Sequence, residues 1–244
     1  MNSVDPKHIE NFRKDSGKWW DPDGPFKPLH RLNPVRIAYI RDRICNHYKI
    51  DSDTLTPLKK LDIIDIGCGG GLVCEPLSRL GGNLTGIDAD DQAIKVAGEH
   101  AKSNELNIKY LNTTSDALAE KKKRYDVVLA LEIIEHVSSP EEFVRSCADL
   151  CKPGGIVIFS TLNRTLKSYA LGIMAAEHIL RWVPKGTHEW NKFIKPSELA
   201  AMMRSHSITP SNQSGLVFSP LSGEFKLSEH DLDVNYFICG ERTQ

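Results

Sequence analysis

The sequence contains no CxxC pair, no Cys/His spacing of the kind that builds structural zinc sites, no internal repeat and no low-complexity segment. Its six cysteines (Cys45, Cys68, Cys74, Cys147, Cys151 and Cys239) are scattered, which reads as free thiols in a reducing compartment. An excess of charge of one sign is also missing: 31 Lys and Arg balance 32 Asp and Glu, for a net charge of -1. That excludes the strongly basic domain expected of a nucleic-acid binder, and the run Lys121–Arg124 reads as a solvated loop ahead of a strand. No apolar run is long enough to span a bilayer. The best candidate, Tyr169–Val183, is too short and is broken by Glu177, His178 and Arg181. The first residues, Met1–Asp5, lack both the apolar core of a signal peptide and the Arg-rich pattern of a transit peptide. The expectation is a cytoplasmic protein, at the inner face of the membrane if it meets lipid, or a mitochondrial matrix protein if already processed.

What is present is an alternation of strands and helices. At 244 residues the chain suits one α/β domain with helical additions. Residues 1–57 read as an N-terminal helical extension, with helices predicted over about Pro6–Trp19 and from Pro34 to about Tyr48. From residue 58 the pattern is regular. Strands are predicted over Leu61–Ile66, Leu84–Ile87, Ile108–Leu111, Tyr125–Leu131 and Ile156–Ser160. Helices are predicted over Leu72–Leu80, Asp91–Ser103 and Glu141–Cys151, with late strands at Val217–Phe218 and Val234–Cys239. The fold class expected is α/β: a Rossmann-like, mostly parallel seven-stranded sheet with helices on both faces. The stretch 162–195 interrupts the rhythm and reads as a helical insertion into the 58–244 domain.

The first strand runs into Asp65-Ile66-Gly67-Cys68-Gly69-Gly70-Gly71. Glycines between a buried strand and a helix let a ligand approach the backbone, and the helix start adds unpaired N–H donors. The dinucleotide fingerprint needs a glycine at the sixth position, where this sequence has Leu72 or Cys74 depending on the start. The spacing is GxGxG instead, with Asp88 ending the second strand, where a carboxylate suits a ribose; alone, Asp88 is equally a solvated strand end. This set resembles the class I methyltransferases, which bind S-adenosylmethionine. The resemblance lays the methionine part along Gly67–Gly71, with Gly67 and Gly69 as contacts. It gives the ribose to Asp88, packs Leu131 beside the cofactor, and sets Ser115-Asp116 near the adenine.

The flanking blocks resemble one family closely, the ubiquinone-biosynthesis O-methyltransferases. They are Trp19-Trp20-Asp21-Pro22, Pro28–Pro34 through Arg36, Glu132–Val137, Lys152–Gly155, Ser160–Arg164, Val183–His188 and Phe193–Pro196. The resemblance implies methylation of polyprenylated phenols and quinols, two methylations in one pathway, and company with other enzymes of quinone biosynthesis. It assigns Arg36 to the carboxylate of the cofactor's methionine; without it, Arg36 reads as a surface helix arginine.

Glu132, Glu135 and His136 stand at i, i+3 and i+4 after the fourth strand, and a helical turn there projects all three to one face. Three readings stay open. His136 is a general base placed by the glutamates, with Glu135 as catalytic partner; or the glutamates merely line the cofactor pocket; or the trio binds a divalent ion. The resemblance supports the last, with Mg2+, although the histidine leaves zinc open. His30 and His188 read as pocket or loop residues and stay outside the catalytic set. Within 166–185, Tyr169, Ile173, Ala176, Leu180 and Val183 recur at helical spacing. That face either packs on its own domain or dips into a lipid surface as a lid. The competing functions are methylation of another small acceptor and a non-catalytic cofactor-binding scaffold.

Overall fold

The computed structural model describes residues 15–170, 189–219 and 222–243. The predicted helix Pro6–Trp19 lies largely outside them, as do most of 166–185 and His188. What is described of the first is a single 3-10 turn, Ser16–Lys18.

One sheet of eight strands organises the chain. In chain order they are β1 Asp62–Ile66, β2 Asn83–Asp88, β3 Lys109–Asn112, β4 Tyr125–Leu131, β5 Cys151–Leu162, β6 Ile208–Ser219, β7 Glu224–Ser228 and β8 Asn235–Arg242. The order across the sheet is β3-β2-β1-β4-β5-β8-β6-β7. The first five pair in parallel, and β8 then runs antiparallel between β5 and β6. The helices of five residues or more among the described residues are α1 Lys27–Tyr48, α2 Cys74–Arg79, α3 Asp91–Ser103, α4 Ser115–Ala119, α5 Pro140–Leu150 and α6 Pro196–Ser205. This is the Rossmann-like α/β architecture expected from the alternation, with one strand more than the seven counted. The extra strand, β7, is the polar edge Glu-Phe-Lys-Leu-Ser paired to β6, and carries no apolar run to betray it.

The central strands β1, β4 and β5 carry continuous apolar runs because both faces of the sheet are covered there. On one face, α1 brings Ile40 and Ile44 against Ile63, Val127, Leu129, Ile158 and Phe237. On the other, α5 and α6 bring Phe143, Val144, Leu199 and Met203 against Ile64, Val128, Phe159 and Tyr236. The helix of the N-terminal extension is therefore part of the sheet's own core.

α1 begins seven residues earlier than Pro34 suggested. Pro28 takes the helix start, and Pro34 stands inside the helix. An interior proline forfeits one backbone hydrogen bond. Burial of Leu32, Tyr39, Ile40, Ile44 and Cys45 along the same helix outweighs that loss. Truncating the most enclosed of these, Ile40→Ala, is expected to cost about 2–5 kcal/mol of unfolding free energy, read from urea denaturation.

Candidate active site

The C-terminal edge of the parallel strands collects the predicted site residues, where open α/β sheets bind ligands. β1 ends in the glycine loop, β2 in Asp88, β4 in Leu131 and β5 in Ser160–Leu162. β8, running the other way, starts at the same edge with Asn235 opposite Leu162.

The loop's backbone is shaped by glycine. Gly67 and Gly69 have φ of 75° and 50°, the left-handed region that other residues enter at a cost. Gly69 donates its N–H to Asp88 Oδ2 at 2.9 Å, and Asp90 N–H reaches Asp88 Oδ1 at 2.8 Å. Burial raises the Asp88 carboxyl, and these two backbone donors oppose the rise. Each oxygen keeps a lone pair for a further donor such as a ribose hydroxyl. Ser115 turns away from this region: its Oγ accepts from Ser146 Oγ on α5 at 2.8 Å.

Arg36 reaches the site from α1 and is only 4% exposed. Its Nε and Nη2 donate to Asn33 Oδ1 at 3.1 and 2.9 Å, while Asn33 Nδ2 donates to Leu72 O just after the loop. Asn33 thus ties the guanidinium to the cofactor loop. It went unassigned in the sequence, and the signal was its place three residues before Arg36 on one helix face. Burial pushes Arg36 down from the usual guanidinium range, while the charges of Glu132 and Asp65 hold it up. Among the described residues no carboxylate closes an ion pair with it. Asp65 itself is pushed up to about 7 by burial, against the pull of Arg36. A buried cation that feels two carboxylates without an ion pair among the described residues suits the carboxylate and amine of a bound amino-acid moiety. These residues fit S-adenosylmethionine.

The turn after β4 differs from the expected helical face. Glu132 has φ of 53° and only Ile134–His136 form a 3-10 turn, so the i, i+3, i+4 register never begins. Glu132 points to the strand ends: its Oε1 accepts from Ser160 Oγ at 2.7 Å, and both oxygens accept from Asn235 Nδ2 at 3.0 Å. Glu135, 3% exposed, takes Thr161 Oγ1 at 2.8 Å. His136 is half-buried at the end of the turn. Among the described residues no three His, Cys, Asp or Glu side chains converge as a metal-binding group. As arranged here, Glu132 is turned to Ser160 and Asn235 and Glu135 to Thr161, so the three side chains do not converge on one position for Mg2+. Burial and the nearby charge of Glu132 both raise the Glu135 carboxyl.

Beside this turn opens a cavity of about 610 Å³, lined by Glu135, Ile134, Phe193, Ile194 and Met202, with Arg164 and Lys192 at polar positions. Phe193 and Ile194 come from the end of the insertion, which returns to the strand edge through Ile194 N–H to Leu162 O at 3.1 Å. Leu131 ends β4 with its side chain packed in the α1-side core beside Leu129 and Ile158.

A family model described as a methyltransferase domain matches residues 37–206. In solved structures the fold is similar to magnesium protoporphyrin IX methyltransferase from Synechocystis, crystallised with S-adenosylhomocysteine. The TM-score is 0.66 at 14% identity, over 97% of this chain and 95% of that one. The same enzyme with S-adenosylmethionine also matches at a TM-score of 0.66 and 12% identity, over 99% and 100% of the two chains. Curated relatives are far nearer in sequence. The ubiquinone biosynthesis O-methyltransferase of Roseobacter denitrificans is 48% identical over 97% of this chain and 95% of that protein. The protein of that name from Ruegeria pomeroyi is 47% identical over 100% and 98%. With 48% identity over nearly the full length of both proteins and a methyltransferase domain matched over residues 37–206, this chain belongs to the ubiquinone biosynthesis O-methyltransferase family of S-adenosylmethionine-dependent enzymes.

Proposed function

We propose that this protein methylates phenolic hydroxyls of polyprenylated ubiquinone precursors, a 2-polyprenyl-6-hydroxyphenol and a 3-demethylubiquinol. The observation that carries the reading is the buried Glu135 carboxyl, just after β4, lining a cavity together with Phe193, Ile194 and Met202. S-adenosylmethionine supplies a methyl group on a sulfonium, which leaves as a neutral thioether once the methyl has passed to oxygen. The protein's tasks are to hold that group, align the acceptor oxygen about 3 Å from the methyl carbon and take the phenol's proton. Arg36, Gly67, Gly69, Asp88 and Leu131 hold the cofactor.

A phenol of pKa about 10 is mostly protonated near neutrality. Glu135 and His136 are the catalytic residues in this reading, and Glu135 accepts the O–H proton as the oxygen–carbon bond forms. A carboxylate of ordinary pKa is a weak base for a phenol; burial and the Glu132 charge strengthen it by raising its affinity for the proton. Phe193, Ile194 and Met202 exclude water around the ring.

Two substitutions test this through one pH–rate experiment. Glu135→Gln is expected to lower kcat by about 10²–10⁴ with cofactor affinity unchanged. Because Glu135 must be ionised to act, activity falls as pH drops through its raised pKa. Glu132→Gln removes the charge that raises it, so the acid limb of kcat/KM moves to lower pH. An acid limb left in place by Glu132→Gln, or full kcat in Glu135→Gln, contradicts the assignment.

A polyprenyl tail partitions into a bilayer, so we place the protein at the cytoplasmic membrane face, or the matrix face in a mitochondrion, reached by peripheral contact through 166–185. The described start of that segment supports the reading: Leu166 is 82% exposed, and Tyr169 beside it is exposed too. Among the described residues no helix is long and apolar enough to cross a membrane. Co-sedimentation with anionic liposomes is expected to fall several-fold when 166–185 is replaced by a polar linker. Equal sedimentation of the two proteins would refute the contact.

A further inference from the structure

Asn33 lies in the interior of α1, three residues before Arg36 and therefore on the same face of the helix. Asparagine is a poor occupant of a helix interior, because its amide competes with the backbone for hydrogen bonds. Here the amide is engaged at both ends. Its Oδ1 accepts from Nε and Nη2 of Arg36 at 3.1 and 2.9 Å, and its Nδ2 donates to Leu72 O at 2.8 Å. A guanidinium offers only donors and a carbonyl oxygen only accepts, so the two partners fix which way the amide faces. One half-buried side chain thus sets Arg36 relative to the glycine loop.

Two features separate this bond from an ordinary tie between a helix and a loop. The first is the choice of donors. Asn33 occupies the side of the guanidinium made by Nε and Nη2, and among the described residues it is the one side-chain hydrogen-bond partner of Arg36. The other side, made by Nη1 and the second N–H of Nη2, is the fork that grips a carboxylate with two parallel bonds. No described residue claims it. The second feature is charge. The oxygen of Asn33 is neutral, so it aligns the cation without cancelling it, while the charges of Asp65 and Glu132 act on Arg36 without an ion pair among the described residues. Asn33→Asp would reverse both features: a full negative charge would meet Arg36 directly, and a carboxylate oxygen would face Leu72 O.

We propose that Asn33 is a positioning residue for the cofactor's carboxylate: through a neutral oxygen it fixes the free fork of Arg36 beside the glycine loop and keeps the arginine's charge for the ligand. The inference rests on the reading of Arg36 as the group that binds that carboxylate. The full-length wild type, Asn33→Asp, Asn33→Ala, Arg36→Gln and the double variant Asn33→Ala/Arg36→Gln are titrated by calorimetry with S-adenosylmethionine and with its decarboxylated form. Asn33→Asp is expected to raise the Kd for S-adenosylmethionine about 10-fold or more, and Asn33→Ala about 3–10-fold. Neither should weaken binding of the decarboxylated compound beyond about twofold, since the aligned fork has no carboxylate to meet there. In the Arg36→Gln background Asn33→Ala should add nothing, because the group it positions is gone. Asn33→Ala decides the matter on its own if Asn33→Asp does not fold, as judged by the thermal midpoint. Equal weakening toward both ligands, or a loss from Asn33→Ala that adds in full to that of Arg36→Gln, overturns the proposal and leaves Asn33 a structural tie. Wild-type affinity in Arg36→Gln would instead undo the reading of Arg36 on which it rests.

Discussion

The buried guanidinium of Arg36 is the constraint around which the site is arranged. It is nearly without solvent, on a helix whose other inward residues are Leu32, Tyr39, Ile40 and Ile44. An ion in such a place must be compensated, or the helix would not pack there. Compensation comes from three directions: Asn33 from the same helix, Asp65 from the end of β1 and Glu132 from the end of β4. The acids act on it through their charge, and among the described residues neither closes an ion pair with it. Glu132 carries a second burden. Ser160 and Asn235 bind it to β5 and β8, so one carboxylate links the cofactor side of the sheet edge to the acceptor side.

That link gives the chemistry its direction. The negative charge that steadies Arg36 also stands beside Glu135 and raises its proton affinity. In the proposed reaction, cofactor capture and proton abstraction share one electrostatic element, Glu132, at the backbone kink marked by its positive φ. A regular helical turn would have aimed Glu132, Glu135 and His136 the same way. The kink sends Glu132 to the strand ends and leaves Glu135 beside the cavity.

Much of this was legible in the residues. Asp91–Ser103 and Tyr125–Leu131 fall at the bounds expected from their periodicity, because a capping Asp90 and an uninterrupted apolar run are local signals. The place of the glycine loop, after β1 and ahead of α2, was legible from the apolar run that ends in GxGxG. What escaped was decided at long range. Pro34 marks a helix start in isolation, but here the packing of α1 overrides it. The polar β7 exists because β6 offers it an edge. The left-handed backbone at Glu132 is imposed by bonds to Ser160 and Asn235, 28 and 103 residues away. Trp19 and Trp20 open the first of the family-like blocks, yet their seat on a loop about fifty residues later follows only from the fold.

The central proposal is that the charge of Arg36, which closes no ion pair among the described residues, is completed by the cofactor's carboxylate. The most direct measurement is the affinity of Arg36→Gln for S-adenosylmethionine and for decarboxylated S-adenosylmethionine, set against wild type by titration calorimetry. Loss of a charge-assisted contact predicts a roughly 10–100-fold weaker Kd for S-adenosylmethionine in the variant, with no weakening for the decarboxylated compound. Equal losses for both ligands, or none for either, would contradict it.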